Sequence, residues 1–330
     1  MKNSMCCFLI LMVTFGHSQT NLENDIFDKE KKRVKELAAK YIDLKPITVS
    51  ASVCERSAGG RNDFYSEGDY WWPDPKNPKG PYIRKDGMTN PENFTAHREA
   101  MIRFSQIAGA LGSAYLVTRD DAFAEKLVPH LKAWFLNEDT MMNPNLLYAQ
   151  AITGRVTGRG IGIIDTIHLL EVAKAVMAIE GASVLSKVEL KGIKSWFSNY
   201  LDWMTSHPYG IAERDNGNNH SVCWALQVAV FSELVGNEEQ TNYARNMYKN
   251  VLLPEQMAQN GSFPLELKRT KPYGYSLFNL DVMTALCQTL SSKEEDLLHI
   301  EQMTTTAFKK GLLFFIPLLR IKIIGPMLKM

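Results

Sequence analysis

Two short polar clusters interrupt otherwise apolar stretches of this chain. Asn218-Asn219-His220 opens the apolar run Val222 to Val230, and Arg269-Thr270-Lys271-Pro272-Tyr273-Gly274-Tyr275 precedes Leu277, Phe278 and Leu280. Together they offer an amide, an imidazole, a guanidinium and a phenol. Such groups can neutralise a carboxylate, take a proton from the adjacent carbon and return one to a leaving oxygen. That set suits elimination from an acidic sugar better than hydrolysis, which calls for two opposed carboxylates. Asp165, Glu213 and Asp215 are available as acids, but none is singled out by its spacing.

Each cluster also has an ordinary reading. Asparagine is a common N-cap, so the first cluster reads alone as a capped helix start with His220 in the first turn. A helix N-terminus there favours a neutral imidazole able to act as a base. Pro272 and Gly274 make the second segment read as a turn, with a helix from Phe278. In its ordinary reading Arg269 pairs with Glu266 and the tyrosines plug the core.

The elements that must position these groups are helical. Apolar residues recur at helical spacing along Phe94–Thr118, namely Met101, Phe104, Ile107, Ala108, Leu111 and Tyr115. Further helices are expected over Glu23–Leu44, Asp121–Phe135, Gly160–Ile179, Val188–Thr205, Asn219–Leu234, Glu238–Leu253 and Phe278–Leu290. Asp120 or Asp121 is placed to cap the helix after the first hairpin. No strong run of alternating strands appears, and no fixed-length repeat favours a solenoid. The fold class is therefore all-α: a bundle, a superhelix or a closed ring of helical hairpins.

Between Ser50 and Asn93 lies a long loop rich in proline and glycine, centred on Tyr70-Trp71-Trp72-Pro73-Asp74-Pro75. Long ordered loops are usually functional. Trp71 and Trp72 are adjacent, so one can meet a sugar ring while the other pins the loop. The segment Gln150–Asp165 is glycine-rich and carries Arg155 and Arg159, but fits neither a P-loop nor a dinucleotide motif. Close helix approach and arginine–carboxylate pairing explain it more readily, with substrate contact as the sharper reading. His97, in His97-Arg98-Glu99, opens a helix where it can line a cleft or face solvent. His207-Pro208 reads as a structural helix end.

Composition narrows the function classes. The formal charge is +1 over 330 residues, too weak a field for nucleic acid or an anionic membrane. A polyanion would have to be met locally. Nothing resembles a metal-binding motif or a serine nucleophile elbow, so neither metal nor cofactor is expected. Lys2, the apolar run Met5–Gly16 and small residues before Gln19 read as a signal peptide over residues 1–18. Residues 19–330 then belong to a protein exported to the periplasm, without a membrane span, and suffice for one large domain or two small ones. Cys54, Cys223 and Cys287 remain, two of them in apolar helical stretches where buried free thiols are expected; one disulfide is permitted but not assignable.

The segments Tyr70–Pro75, Gly154–Asp165, Asn218-Asn219-His220 and Arg269–Asn279, in that order, resemble the alginate lyase-like superfamily. The chain is similar to the branch classed as polysaccharide lyase family 38 and, more distantly, to the alginate lyases of family 5. The likeness covers roughly Asp69 to Leu290. It implies an incomplete α/α toroid of helical hairpins with the substrate in a cleft across it. It also implies β-elimination on alginate, polymannuronate or β-1,4-glucuronan.

By that resemblance Tyr275 is the catalytic tyrosine, His220 the histidine beside it, Asn219 the amide that helps neutralise the carboxylate, and Arg269 the arginine near the tyrosine. Arg269 is then expected to lower the phenol's pKa from about 10. Tyr70, Trp71, Trp72, His97, Arg155, Arg159 and Tyr273 are the substrate-contact candidates. In family 5 the arginine-to-tyrosine spacing is one residue longer. After about Pro317 the sequence departs from the family pattern, as a truncated or frame-altered C-terminus would. A glycoside hydrolase on a similar toroid, or a glycan-binding protein without catalysis, are the alternatives.

Overall fold

The computed structural model describes residues 28–297. The signal peptide and the altered C-terminus expected from the sequence lie outside the described residues. A first helix, α1, covers residues 28–39. There follow α2 (Ala96–Thr118), α3 (Asp121–Phe135), a 3-10 helix (Gly160–His168) running into α4 (Leu169–Ile179), α5 (Lys187–Ser206) and α6 (Pro208–Arg214). Then come α7 (Asn219–Val235), α8 (Glu238–Met247), a π-turn (Tyr248–Leu252), the short α9 (Leu253–Gln256) and α10 (Pro264–Leu267), and α11 (Pro272–Leu290).

The helix ends have local causes. Asp120 caps α3 through its side chain, which accepts from the Ala122 amide. Ser186 and Glu189 form a reciprocal capping box at the start of α5. His207 ends α5 and accepts the Tyr209 amide to start α6, with Pro208 in the first turn. Gly236, in the left-handed region at φ 75°, closes α7. Some boundaries depart from expectation: α1 ends at residue 39 rather than Leu44, the helix expected over Glu238–Leu253 passes into the π-turn at Tyr248, and α11 begins at Pro272, not Phe278. A proline at the first position lacks only an N–H that would have no partner there, so it starts a helix where the sequence reads as a turn.

Packing arranges the helices in two rows. In one, α2 lies against α4, α4 against α7, and α7 against α11. In the other, α3 backs α2 and touches α5, while α5 and α8 back α7. Alternating rows of this kind form an incomplete α/α toroid. α7 stands in the middle, and almost every side chain from Val222 to Leu234 is buried. The core between the rows is aromatic: Phe104 stacks on Trp134 at 4.9 Å, Phe135 meets Trp196 at 4.7 Å, and Phe197 meets Phe231 at 5.1 Å between centroids. Where α2 crosses α4, Gly112 leaves no room for a side chain, since a Cβ there would sit 2.6 Å from that of Ala175.

Four short strands appear that the sequence pattern did not show. β1 (Tyr65–Glu67) pairs in parallel with β4 (Tyr148–Ala151), and β2 (Trp71–Trp72) pairs antiparallel with β3 (Ile83–Arg84). They give the long loop a frame. Glu67 anchors it, taking both Arg56 nitrogens at 2.7 Å, the Phe94 amide at 2.7 Å and the Tyr65 hydroxyl at 3.1 Å. The three described cysteines are buried free thiols. No described helix is long and apolar enough to cross a membrane.

Gly112→Val forces a Cβ and its two methyl groups into the α2–α4 contact. Overpacking of this kind costs about 1–3 kcal/mol. Thermal denaturation followed by circular dichroism is expected to show a lowered Tm.

Candidate active site

The N-terminal ends of three helical elements meet at one cleft of about 390 Å³. The 3-10 helix brings Arg159 and Ile161, α7 brings Asn219 and His220, and α11 brings Tyr275 and Phe278. Unpaired amides and the helix dipole make such ends favourable for anions. The β2–β3 hairpin supplies the opposite wall. Trp71 and Arg84 are partners across its ladder, and both line the cleft with Tyr70 and Asp69.

Asn218, as N-cap, accepts the His220 amide at 3.0 Å, which fixes the first turn of α7. The next two side chains are each held from behind by a buried glutamate. Glu266 Oε1 accepts both the backbone amide and the side-chain amide of Asn219, each at 2.8 Å. One Nδ2 hydrogen of Asn219 is left over for another partner. Glu213, fully buried, contacts His220 Nδ1 at 2.7 Å, so Nε2 is the ring nitrogen left for the cleft. Burial raises the Glu213 pKa, and the bond to His220 opposes that rise.

Tyr275 sits at the other side. Its hydroxyl is 2.6 Å from that of Tyr70 and accepts from Arg269 Nη2 at 3.0 Å. The Arg269 guanidinium also lies over the Tyr275 ring, 4.0 Å from the centroid. Arg269 is held by Asp86 at 3.6 Å, and Asp86 also takes Arg84 at 2.6 Å and the Thr270 hydroxyl at 3.1 Å. The ordinary reading in which Arg269 pairs with Glu266 does not hold, because Glu266 is committed to Asn219. The expectation of a lowered phenol pKa is also overturned. Burial is the largest influence and raises it, the Tyr70 contact adds to the rise, and Arg269 only partly offsets them. Tyr275 is thus held further toward its neutral phenol form than a free tyrosine.

Of the other candidates, Tyr70, Trp71 and Arg159 line the cleft with these four. Trp72 does not: its indole donates to Met88 O at 2.9 Å and lies under Lys85, so the two tryptophans of β2 divide between cleft and loop. His97 neither lines the cleft nor faces solvent. It is buried, takes the Tyr65 amide on Nδ1 at 2.9 Å and places Nε2 2.9 Å from Ser52 O, an internal brace for the long loop. Tyr273 packs against the core and does not line the cleft, because two residues of helix turn it to the face away from Tyr275. Arg155 lines an adjoining depression.

Several groups in or behind the cleft gave no clear sequence signal. Arg84 and Asp69 arrive through the hairpin. Gln150 lines the cleft in the left-handed region at φ 53°, uncommon for a residue with a side chain. Ser66 Oγ accepts its amide at 2.8 Å, and Arg159 donates to its carbonyl at 2.9 Å and to its side chain at 3.2 Å. Asp165 lies behind, buried between Arg98 and Ser66. Its burial, that of Glu213, and the pairing of Asp215 with Arg214 leave none of the three acids as one of two opposed carboxylates in the cleft. Among the described residues no His, Cys, Asp and Glu cluster is arranged to hold a metal ion.

Comparison with known proteins identifies the family. The family profile "Alginate lyase" matches residues 48–322. An alginate lyase from Bacteroides ovatus, solved as a crystal structure, is 31% identical with a TM-score of 0.80, covering 92% of this chain and 83% of its own. Alginate lyase A1-III from a Sphingomonas species shares the fold at 14% identity and a TM-score of 0.57, covering 87% of this chain and 78% of its own. A histidine-to-alanine variant of A1-III complexed with a tetrasaccharide gives a TM-score of 0.59 at 14% identity, covering 87% of this chain and 77% of its own. A search of curated proteins gives no match. The profile spans most of the chain, and the identity to the B. ovatus enzyme extends over nearly all of it: the chain belongs to the alginate lyase family, a family of polysaccharide lyases.

Proposed function

We propose that the chain cleaves a uronate-containing polysaccharide, alginate or polymannuronate or a β-1,4-glucuronan, by β-elimination carried by its own side chains. The observation that carries this reading is the Tyr275 hydroxyl, bonded to Arg269 and Tyr70 and sharing one cleft with His220 and Asn219. The family implies an acidic polysaccharide as substrate. The Arg84, Arg159 and Arg269 guanidiniums and the converging helix N-termini suit that charge.

In the proposed reaction the uronate carboxylate lies against the Asn219 amide and the His220 ring. Their hydrogen bonds stabilise the charge that builds on the carboxylate as the C5 proton leaves. Tyr275, as phenolate, takes that proton. The electron pair of the C5–H bond forms a C4–C5 double bond, the C4–O4 bond breaks, and Tyr275 returns the proton to O4. For β-mannuronate or β-glucuronate the two atoms lie on one side of the ring, so one residue serves both. For the C5 epimer His220 Nε2, opposite Tyr275, is the base. The products are an unsaturated uronate and a new chain end. Export to the periplasm, where such polymers are met, is part of the same proposal.

Incubation with alginate, polymannuronate and glucuronan is expected to produce the ultraviolet absorbance of the unsaturated product. New reducing ends without that absorbance would favour hydrolysis, and binding without new ends would favour a glycan-binding role. Tyr275→Phe is expected to abolish turnover while binding persists; retained turnover would remove the mechanism.

A base that starts as a neutral phenol gives a rate that climbs with pH, because the phenolate fraction grows toward the raised pKa. kcat/KM is therefore expected to show an ascending alkaline limb. Arg269→Met removes the group that pulls the pKa down, so the limb moves to higher pH and the rate near pH ~8 falls. Glu213→Ala frees His220 Nδ1 from its partner. Loss of such an orienting group is expected to lower kcat/KM by about tenfold or more, with a changed imidazole signal in nitrogen-15 NMR.

A further inference from the structure

Arg155 and Arg159 stand on the tight turn between β4 and the 3-10 helix. The turn is clamped at both ends. A Cβ on Gly154 would lie 2.8 Å from Pro81 Cα, and one on Gly158 would lie 1.9 Å from Leu147 O. Both guanidiniums approach the same indole, at 5.2 Å for Arg155 and 5.9 Å for Arg159 from the Trp71 centroid.

The arginine–carboxylate pairing expected from the sequence is missing. Among the described residues Arg155 donates only to Tyr82 O at 2.6 Å, and Arg159 only to the carbonyl and side-chain oxygens of Gln150. Among the described residues no carboxylate is in ion-pair contact with either, whereas Arg56, Arg84, Arg98 and Arg214 all have one. Each guanidinium has five N–H donors, most of them left open here. Arg159 is also partly buried, and that burial pushes its pKa down to about 10. A partly buried cation without a counter-ion is costly unless a ligand anion completes it.

Position identifies the anion. Arg159 and Trp71 line the cleft that holds Tyr275, while Arg155 lines the adjoining depression of about 630 Å³ with Thr153, Thr157 and Tyr209. Arg155, from the depression, and Arg159, from the cleft, both approach Trp71, so this indole and its two arginines stand between the two. Resting on the uronate-lyase reading, we propose that Arg155, Arg159 and Trp71 form a second subsite, which takes the carboxylate of a neighbouring uronate. The enzyme then selects contiguous uronates over polymers in which acidic and neutral sugars alternate. Guanidinium is well suited to this task, since its planar fork meets a carboxylate through two N–H groups.

Steady-state kinetics on uronate oligosaccharides, from trisaccharide to hexasaccharide, test the subsite in wild type, Arg155→Gln, Arg159→Gln and Arg159→Lys. For the hexasaccharide, each glutamine variant is expected to raise KM by about tenfold with little change in kcat. The rise shrinks as the oligomer shortens, and Arg159→Lys recovers part of the loss. Reducing alternate carboxyls of the hexasaccharide to alcohols is expected to weaken wild type more than either glutamine variant. Equal effects at every length, or none, would overturn the subsite. Arg155 is exposed, so Arg155→Gln remains a folded test if melting shows that Arg159→Gln is not. If wild type forms no unsaturated product from any uronate polymer, the lyase reading fails by itself. Calorimetric binding of the uronate hexasaccharide to wild type and Arg155→Gln then still decides the subsite: about tenfold weaker binding by the variant supports it, and equal affinity sinks it.

Discussion

One buried carboxylate joins the two halves of the site. Glu266 lies in α10, three residues before Arg269, and its Oε1 receives both amides of Asn219 at the start of α7. Residues far apart in sequence are locked together there. Hydrogen bonds to a charged group are worth about 1.5–3 kcal/mol each, and burying the charge costs several kcal/mol. The bonds therefore chiefly offset burial and fix geometry. What the interaction supplies is a set distance between the segment holding Asn219 and His220 and the segment leading into Arg269 and Tyr275.

The rest of the cleft follows the same plan. Groups that face the cavity are held by partners that do not. Glu213 holds His220, Asp86 holds Arg269 and Arg84, and Asp165 with Ser66 holds the strained Gln150. The negative charges sit mostly behind, while amides, guanidiniums and helix N-termini point inward. An anionic polymer thus meets a positive surface in a chain whose net charge is close to zero. Tyr275 is the exception, kept neutral by burial beside Tyr70 with Arg269 pulling the other way. In that form its hydroxyl can give a hydrogen bond as well as accept one.

Much of this was legible from residue patterns. Apolar periodicity located α2, α3, α5 and α7 to within a residue or two, because those helices bury one face or nearly all of their surface. That Trp71 and Trp72 could divide between cleft and loop was legible from their adjacency, but the strand that turns them apart, and which one faces the cleft, was not. Other features were not legible. The start of α11 was hidden because Pro272 signals a turn and a first helical position equally well. His97 read as a surface or cleft group because nothing local shows that the Tyr65 amide and Ser52 carbonyl close over it. Arg155 and Arg159 read as ion-paired because the segment fits no phosphate-binding motif, whereas the clamped turn brings both to Trp71 instead.

Sequence by itself determined the helices, the chemical groups available and, through the order of four motifs, the family. These are local properties: side-chain period, capping, and which functional groups a segment carries. Tertiary structure alone decided which groups share a cavity, which glutamate stands behind which site residue, that burial pushes the Tyr275 phenol up, and that two arginines have no carboxylate in contact among the described residues. Those outcomes depend on burial and on contacts between segments far apart in the chain. Residue order does not specify either of them until the helices have packed.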